Sequence, residues 1–315
     1  MQDAATGRRA LFIVNRNSRQ GADAADQARA LLEKAGFTLH AEQCADADGL
    51  RDVIGTQAAA ADLIILGGGD GTLSSAAPAL IEAGRPLGIL SLGTANDLAR
   101  TLGIPFALEE AIAVIVAGHV RRIDLGEVNG IPFFNVASLG LSVAMTHELT
   151  HEVKQRWGKL GYAVATFRAL ARMRPFSAEF VRGDRVERVR TVQVSVGNGR
   201  HYGGGMTVEA DADIDDGCLN LYSLEFERLW KLALIYPAFR GGTHGMWHEV
   251  RAETCTEVEV RTKRPMPINT DGEITTQTPA RFRILRQALD VLAPPPEAKL
   301  APDGSPMPDT AKAGA

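Results

Sequence analysis

Cysteine is nearly missing from this chain: Cys44, Cys218 and Cys255 are its only three in 315 residues, and no two stand in a C-x-x-C spacing. An odd, scattered set of this kind excludes a disulfide framework and a cysteine zinc site, and it fits a reducing compartment. A strong charge of either sign is also lacking. The net charge is −4, and the whole-chain balance has none of the basic excess of a nucleic-acid binder, so no nucleic-acid partner is expected. Long apolar runs are absent too. No stretch approaches the roughly 18 residues a membrane-spanning helix needs. The opening "MQDAATGRRALFIVNRNS" has two arginines but only four apolar residues after Ala10, too few for a signal peptide. The expectation is a soluble, cytoplasmic protein whose membrane contact, if it has one, is peripheral at the inner face. No internal repeat stands out.

What is present is ordinary globular composition, 45% hydrophobic and 23% charged, in a length that suits two domains. "ALFIVN" (10–15), "FTLHAEQC", "DLIIL" and "PLGILSLG" read as strands. Between and after them stand helical patterns: "ADAADQARALLEKAG", "ADGLRDVIGTQAAA", "TLSSAAPALIEAG" in spite of Pro78, and "ALEEAIAVIVAG". Strands alternating with helices at this spacing predict βαβ units and a parallel sheet over residues 8–120. Beyond 120 the pattern turns to short strands with turns at Asn129-Gly130 and Gly183-Asp184, predicting a β-rich second domain. "RTVQVSVGN" and "AETCTEVEVRT" each read as one strand there. The end, "APPPEAKLAPDGSPMPDTAKAGA", reads as a disordered tail.

The chemistry concentrates in "DLIILGGGDGT" (62–72). A buried strand runs into Gly67, Gly68, Gly69, Asp70, Gly71 and Thr72, then into a helix. Ligands of open parallel sheets bind beyond the carboxyl ends of strands. Glycines there let the backbone approach a ligand, and helix-initial N–H groups favour phosphate. The plain alternative is a tight turn. The spacing is neither a P-loop nor G-x-G-x-x-G. Asp70 would repel phosphate, so it implies Mg²⁺ nearby or a role in organising the loop. A second loop, "SLGTANDLAR" (91–100), follows the next strand and carries Gly93, Thr94, Asn96 and Asp97. Taken alone it reads equally well as a helix cap. Two such loops on neighbouring strands would wall a cleft.

Together "GGGDGT" and "LGTANDLAR" closely resemble the diacylglycerol kinase catalytic domain, a family of bacterial lipid kinases and sphingosine kinases. The NAD kinases of the wider superfamily share the first loop. The resemblance continues in order along nearly the whole chain. "NRNS" (15–18) is similar to the family's N-P-x-S-G, and "IDLGEVNGIPFFNVASLG" to its D-x-G…F-x-N…G. "GNGRHYGGGM" (197–206) and "DIDDGCLNL" (213–221) are similar to second-domain motifs, and "NTDGE" (269–273) to the late D-G-E.

The resemblance implies an α/β nucleotide-binding domain with a parallel sheet over 1–125, a β-sandwich lipid-substrate and metal domain over 126–283, a segment returning to the first domain at about 284–294, and a tail at 295–315. It implies transfer of the ATP γ-phosphate to the hydroxyl of a lipid such as diacylglycerol. Asn15, residues 67–72, Thr94 and Asn96 would hold the nucleotide. Asp70, Asp97 and Asp124 would act around it and Mg²⁺, and Glu273 would be the base. Local sequence alone favours a solvated Glu273 after an Asp271-Gly272 hairpin turn, and the resemblance reverses that reading. A structural Mg²⁺ is implied at Asp213, Asp216 and the backbone oxygen of Cys218, where the alternative is a solvated acidic turn. An EF-hand reading of 211–222 fails, because Asp216 and Tyr222 stand where Gly and Glu are required. The basic and aromatic stretch 151–174 reads as a helix resting on an anionic leaflet or as an ordinary domain helix. His201 and His244 read as packing or hydrogen-bonding residues.

Arg16 and Arg19 depart from N-P-x-S-G, and Cys44 stands where some relatives contact the nucleotide with threonine. Two rivals stay open: a NAD kinase, and a catalytically silent nucleotide or lipid sensor on the same fold. The acceptor lipid is not legible, and a homodimer is open.

Overall fold

The computed structural model describes residues 7–15, 21–44, 46–148, 175–198, 201–202, 206–207, 213–225 and 250–295. The stretch 151–174, Arg16, Arg19, His244 and the tail from 296 onward lie outside the described residues, as does the side chain of His201.

The first half is a βαβ series: β1 (Arg9–Asn15), α1 (Gly21–Lys34), β2 (Thr38–Cys44), α2 (Ala47–Gln57), β3 (Leu63–Gly68), α3 (Asp70–Ala83), β4 (Leu87–Ser91), α4 (Asp97–Thr101) and α5 (Leu108–Ala117). β3 is buried at all six positions, as its unbroken apolar run demands of a strand covered on both faces. α3 accommodates Pro78 and closes at Gly84 in the left-handed region, the conformation that lets a helix end in one residue. β1 pairs in parallel with β2 and β3, and β3 with β4, so the carboxyl ends of all four point to one edge.

The second half comprises β5 (Val120–Val128), β6 (Ile131–Phe133), β7 (Val136–Gly140), α6 (Leu141–Glu148), β8 (Phe176–Arg182), β9 (Arg185–Thr191), β10 (Gln193–Gly197), β11 (His201–Tyr202), β12 (Met206–Thr207), β13 (Leu219–Leu224), β14 (Val250–Cys255), β15 (Glu257–Thr262), β16 (Pro267–Thr270), β17 (Glu273–Gln277) and β18 (Ala280–Leu292). Asn129 and Gly130 both have positive φ, and they close the β5–β6 hairpin. β14-β13-β10-β7-β16-β17 form one antiparallel sheet. Its inner face, with Val194, Val196, Leu219, Leu221 and Ile268, packs on Phe133, Phe180, Val258 and Phe282 of the strands opposite. The result is a β-sandwich beside the α/β domain.

The two halves share a sheet. β18 pairs antiparallel with β5 and β15 and in parallel with β4, giving the order β2-β1-β3-β4-β18-β15-β8-β9. The segment expected to return at 284–294 is thus the end of one long strand that begins in the sandwich. A register shift between Leu285 and Leu289, with Gln287 at positive φ, lets it pass from one domain to the other.

Two expected strands divide. "RTVQVSVGN" breaks at Val192 between β9 and β10, and "AETCTEVEVRT" breaks at Thr256 between β14 and β15. Each break is a one-residue corner at which the chain leaves one sheet for the other.

Candidate active site

At the carboxyl edge of β1, β3 and β4 a cavity of about 430 Å³ opens. The glycine loops form its floor. A Cβ on Gly93 would fall 2.5 Å from the Gly69 Cα, so the loops touch backbone to backbone, and only glycine fits. Asn96, at φ +51, locks the second loop: its amide oxygen accepts from Gly93 N–H and its amide nitrogen donates to Gly93 C=O, both at 3.1 Å. That side chain is therefore a loop staple and makes no helix-capping bond. Across the floor, Asn15 Nδ2 donates to Thr72 Oγ1 at 3.1 Å, joining β1 to the first turn of α3. The N-terminus of α3 opens into the cavity with Gly69, Gly71 and Thr72 lining it, an arrangement suited to phosphate.

Asp70 and Asp97 stand close behind the floor. Burial, reinforced by the Asp97 charge, pushes the Asp70 carboxyl above its usual range, while backbone N–H groups of residues 96–98 oppose that shift. Neither carboxylate lines the cavity, and their mutual repulsion is what the charge of a nearby cation would relieve.

Glu273 arrives from the other domain. It is exposed, lines the cavity, and sits with Oε1 3.4 Å from where a Gly71 methyl would be. The turn before it is tied down by Asp271. That carboxylate accepts from the N–H groups of Phe134 (2.7 Å), Asn135 (2.9 Å) and Val136 (3.1 Å). The Asp271 N–H returns a bond to Val136 C=O. Burial outweighs those three donors and raises the Asp271 carboxyl to about 6. Asn269 Oδ1 holds Gly272 N–H at 2.9 Å.

Of the expected residues, Asn15, Gly69, Gly71, Thr72, Thr94 and Glu273 line the cavity, while Gly67, Gly68, Asp70, Asn96 and Asp97 lie behind that lining. It does not bring Asp124 into the cavity. Asp124 is 2% exposed, and its carboxylate accepts from Gly217 N–H (2.7 Å) and Gln287 N–H (2.6 Å). It clasps β5 to the 213–218 turn and to the kink of β18. Asn198, also buried, bridges the same region by donating to Asp124 C=O and Phe134 C=O.

In the 213–218 turn the carboxylates expected to hold Mg²⁺ have protein partners. Arg121 reaches in from β5, its Nη2 on Asp213 Oδ1 and its Nε on Asp215 Oδ2. Asp216 accepts from the N–H groups of Cys218 (2.9 Å) and Asp213 (3.2 Å). A guanidinium and backbone donors thus answer these carboxylates, and among the described residues no group of three His, Cys, Asp or Glu could hold a metal.

Sequence reasoning missed Asp46, Ala47 and Leu50, which line the cavity from the start of α2. Asp46 caps that helix through Gly49 N–H at 2.8 Å. An Asp before a helical pattern was the available signal. Cys44, one strand-end away, is buried and outside the lining.

The diacylglycerol kinase catalytic domain family matches residues 9–128, and the YegS C-terminal NAD kinase beta sandwich-like domain matches residues 135–293. A protein of Yersinia enterocolitica named probable lipid kinase YegS-like is 33% identical over 90% of this chain and 97% of its own length. A diacylglycerol kinase of Staphylococcus saprophyticus is 31% identical over 84% of this chain and 87% of its own. The crystal structure of a diacylglycerol kinase from Bacillus anthracis superposes with a TM-score of 0.77 at 26% identity, covering 91% of this chain and 98% of that one.

Proposed function

Since the chain belongs to the diacylglycerol kinase family, with a YegS-type sandwich as its second domain, and is accordingly a lipid kinase, we propose that it transfers the γ-phosphate of ATP to the hydroxyl of a membrane lipid such as diacylglycerol. The observation that carries the reading is Glu273 from the sandwich facing the glycine loops of the α/β domain across one cavity.

Phosphoryl transfer asks a protein mainly to position phosphates, to offset charge and to accept a proton. The backbone of Gly69, Gly71 and Gly93 and the hydroxyls of Thr72 and Thr94 would hold the phosphate chain at the N-terminus of α3. Asp70 and Asp97 would hold Mg²⁺, which when bound supplies the charge that lets ADP leave. Glu273 would accept the proton of the lipid hydroxyl as its oxygen attacks the γ-phosphorus. Asp271 would fix the turn from which Glu273 reaches. The lipid would enter on the sandwich side, in peripheral contact with a membrane. No helix among the described residues is long and apolar enough to span one.

The test supplies γ-labelled ATP and Mg²⁺ with detergent-dispersed diacylglycerol, sphingosine and phosphatidylglycerol, and NAD⁺ in parallel. Label in one lipid supports the proposal and names the acceptor. Label in NADP⁺ alone contradicts it in favour of a NAD kinase. Bound ATP with no transfer contradicts it in favour of a sensor.

A further inference from the structure

A second hollow, of about 570 Å³, lies outside the catalytic cavity on the outer face of β8, β9 and β15. Three strands form its floor and their outward side chains its walls. Register fixes two rows. In one, Arg188 and Arg261 flank Glu179. In the other, Arg190 pairs across from Ser177, and Lys263, the first residue past the end of β15, lines the same hollow after Thr262, the partner of Ala178. The first row is answered within the protein: Arg188 binds Glu179 at 2.8 Å, and Arg261 binds Glu259 through two bonds of 2.8 Å. The second row holds two exposed cations and a hydroxyl, and neither Arg190 nor Lys263 forms an ion pair with the described residues.

We propose that this trough is a binding site for a phosphate group, held between Arg190 and Lys263 over Ser177. Adjacent strands lie about 4.8 Å apart, so the two cations approach one anion from either side at a span their side chains close. Arginine and lysine with a hydroxyl between them supply charge-assisted donors from three directions, and the walls offer the anion no unpaired carboxylate. Four cations against one carboxylate in the lining stand out in a chain whose net charge is −4. Two sources present this chemistry, the headgroup of an anionic lipid and a free phosphate ester. The proposal rests on no catalytic residue.

The full chain and its Arg190→Ala/Lys263→Ala variant are compared in two binding assays that need no turnover. One measures co-sedimentation with phosphatidylcholine vesicles with and without phosphatidic acid. The other measures calorimetric titration with sn-glycerol 3-phosphate. The variant is expected to lose roughly tenfold in affinity for the phosphate-bearing probe, the scale of one or two charge-assisted bonds. A loss confined to vesicles assigns the site to a lipid headgroup, and a loss in both assays assigns it to phosphate esters generally. Equal affinity of both proteins in both assays overturns the proposal. Retained phosphorylation of detergent-dispersed lipid by the variant verifies its fold, and Arg190→Gln/Lys263→Gln replaces it if that control fails.

Discussion

Asp271 accepts a hydrogen bond from the Phe134 N–H at 2.7 Å, and through it the turn carrying Glu273 is fastened to the start of β7. Two further N–H groups, those of Asn135 and Val136, converge on the same carboxylate. Asp271 itself sits at φ +47, a conformation that the clamp maintains.

This clamp has a pH signature. Asp271 titrates near its ordinary 3.8 when unfolded and at about 6 in the fold. Between those values the native state holds the extra proton, so stability falls as pH rises through this window and levels off above it. The ceiling on the effect is about 3 kcal/mol. Asp271→Asn should lower stability by about 1–3 kcal/mol, because an amide NH₂ now meets a backbone N–H. It should also make the fall shallower, leaving the part that comes from the raised Asp70 and Asp216 carboxyls. Urea unfolding across this pH range reads both. A wild-type profile with no fall would contradict the assignment.

Gly93→Ala should separate the two loops. The added methyl meets the Gly69 Cα and Asn96 Oδ1, which lies 2.7 Å from it, and neither can retreat without moving a phosphate loop. ATP affinity should fall at least tenfold, an energetic effect of about 1.4 kcal/mol or more. Equilibrium binding of a fluorescent ATP analogue measures it. Undiminished affinity would place the nucleotide elsewhere.

Asn15→Ala removes the bond that ties β1 to Thr72. The bond is partly buried and neutral, worth about 1 kcal/mol, so the KM for ATP should rise about fivefold with little change in kcat. A drop in kcat with KM unchanged would instead put Asn15 at the reacting centre.

Phe282→Ala should report whether the domains, which have separate cores but share a sheet through β18, unfold together. Phe282 is fully buried on β18, the strand common to both halves. The expected loss is about 3–5 kcal/mol, and calorimetry should record one transition shifted as a unit. Two separated transitions would mean that the domains unfold independently.

Much of this fold was legible. The β3 run and its glycines punctuate the sequence so sharply that strand, loop and helix follow from residue type alone. Asn129-Gly130 announced its hairpin in the same way. The corners at Val192 and Thr256 were not legible, because alternation continues through them while the chain changes sheets, and nothing local marks the change. The candidate site divides likewise. The loop residues were readable because glycine and short polar side chains at a strand end have few other uses. The Arg121–Asp213 pair was not, since its partners stand 92 positions apart and each alone looks like a solvated charge. Nor was Leu50, which serves the core and the cavity wall with one side chain. Asp124 kept its place in a motif while its carboxylate went to two backbone N–H groups that only the folded chain brings near.

The central claim, that Glu273 accepts the proton of a lipid hydroxyl, is tested most directly by Glu273→Gln. The side chain is exposed and forms no hydrogen bond or ion pair among the described residues, so the variant should fold and bind ATP as the wild type does. Transfer of label from ATP to dispersed diacylglycerol should fall by about 10²–10⁴, the usual scale for a lost general base. Transfer at the wild-type rate, with ATP binding equal in both proteins, would contradict the account.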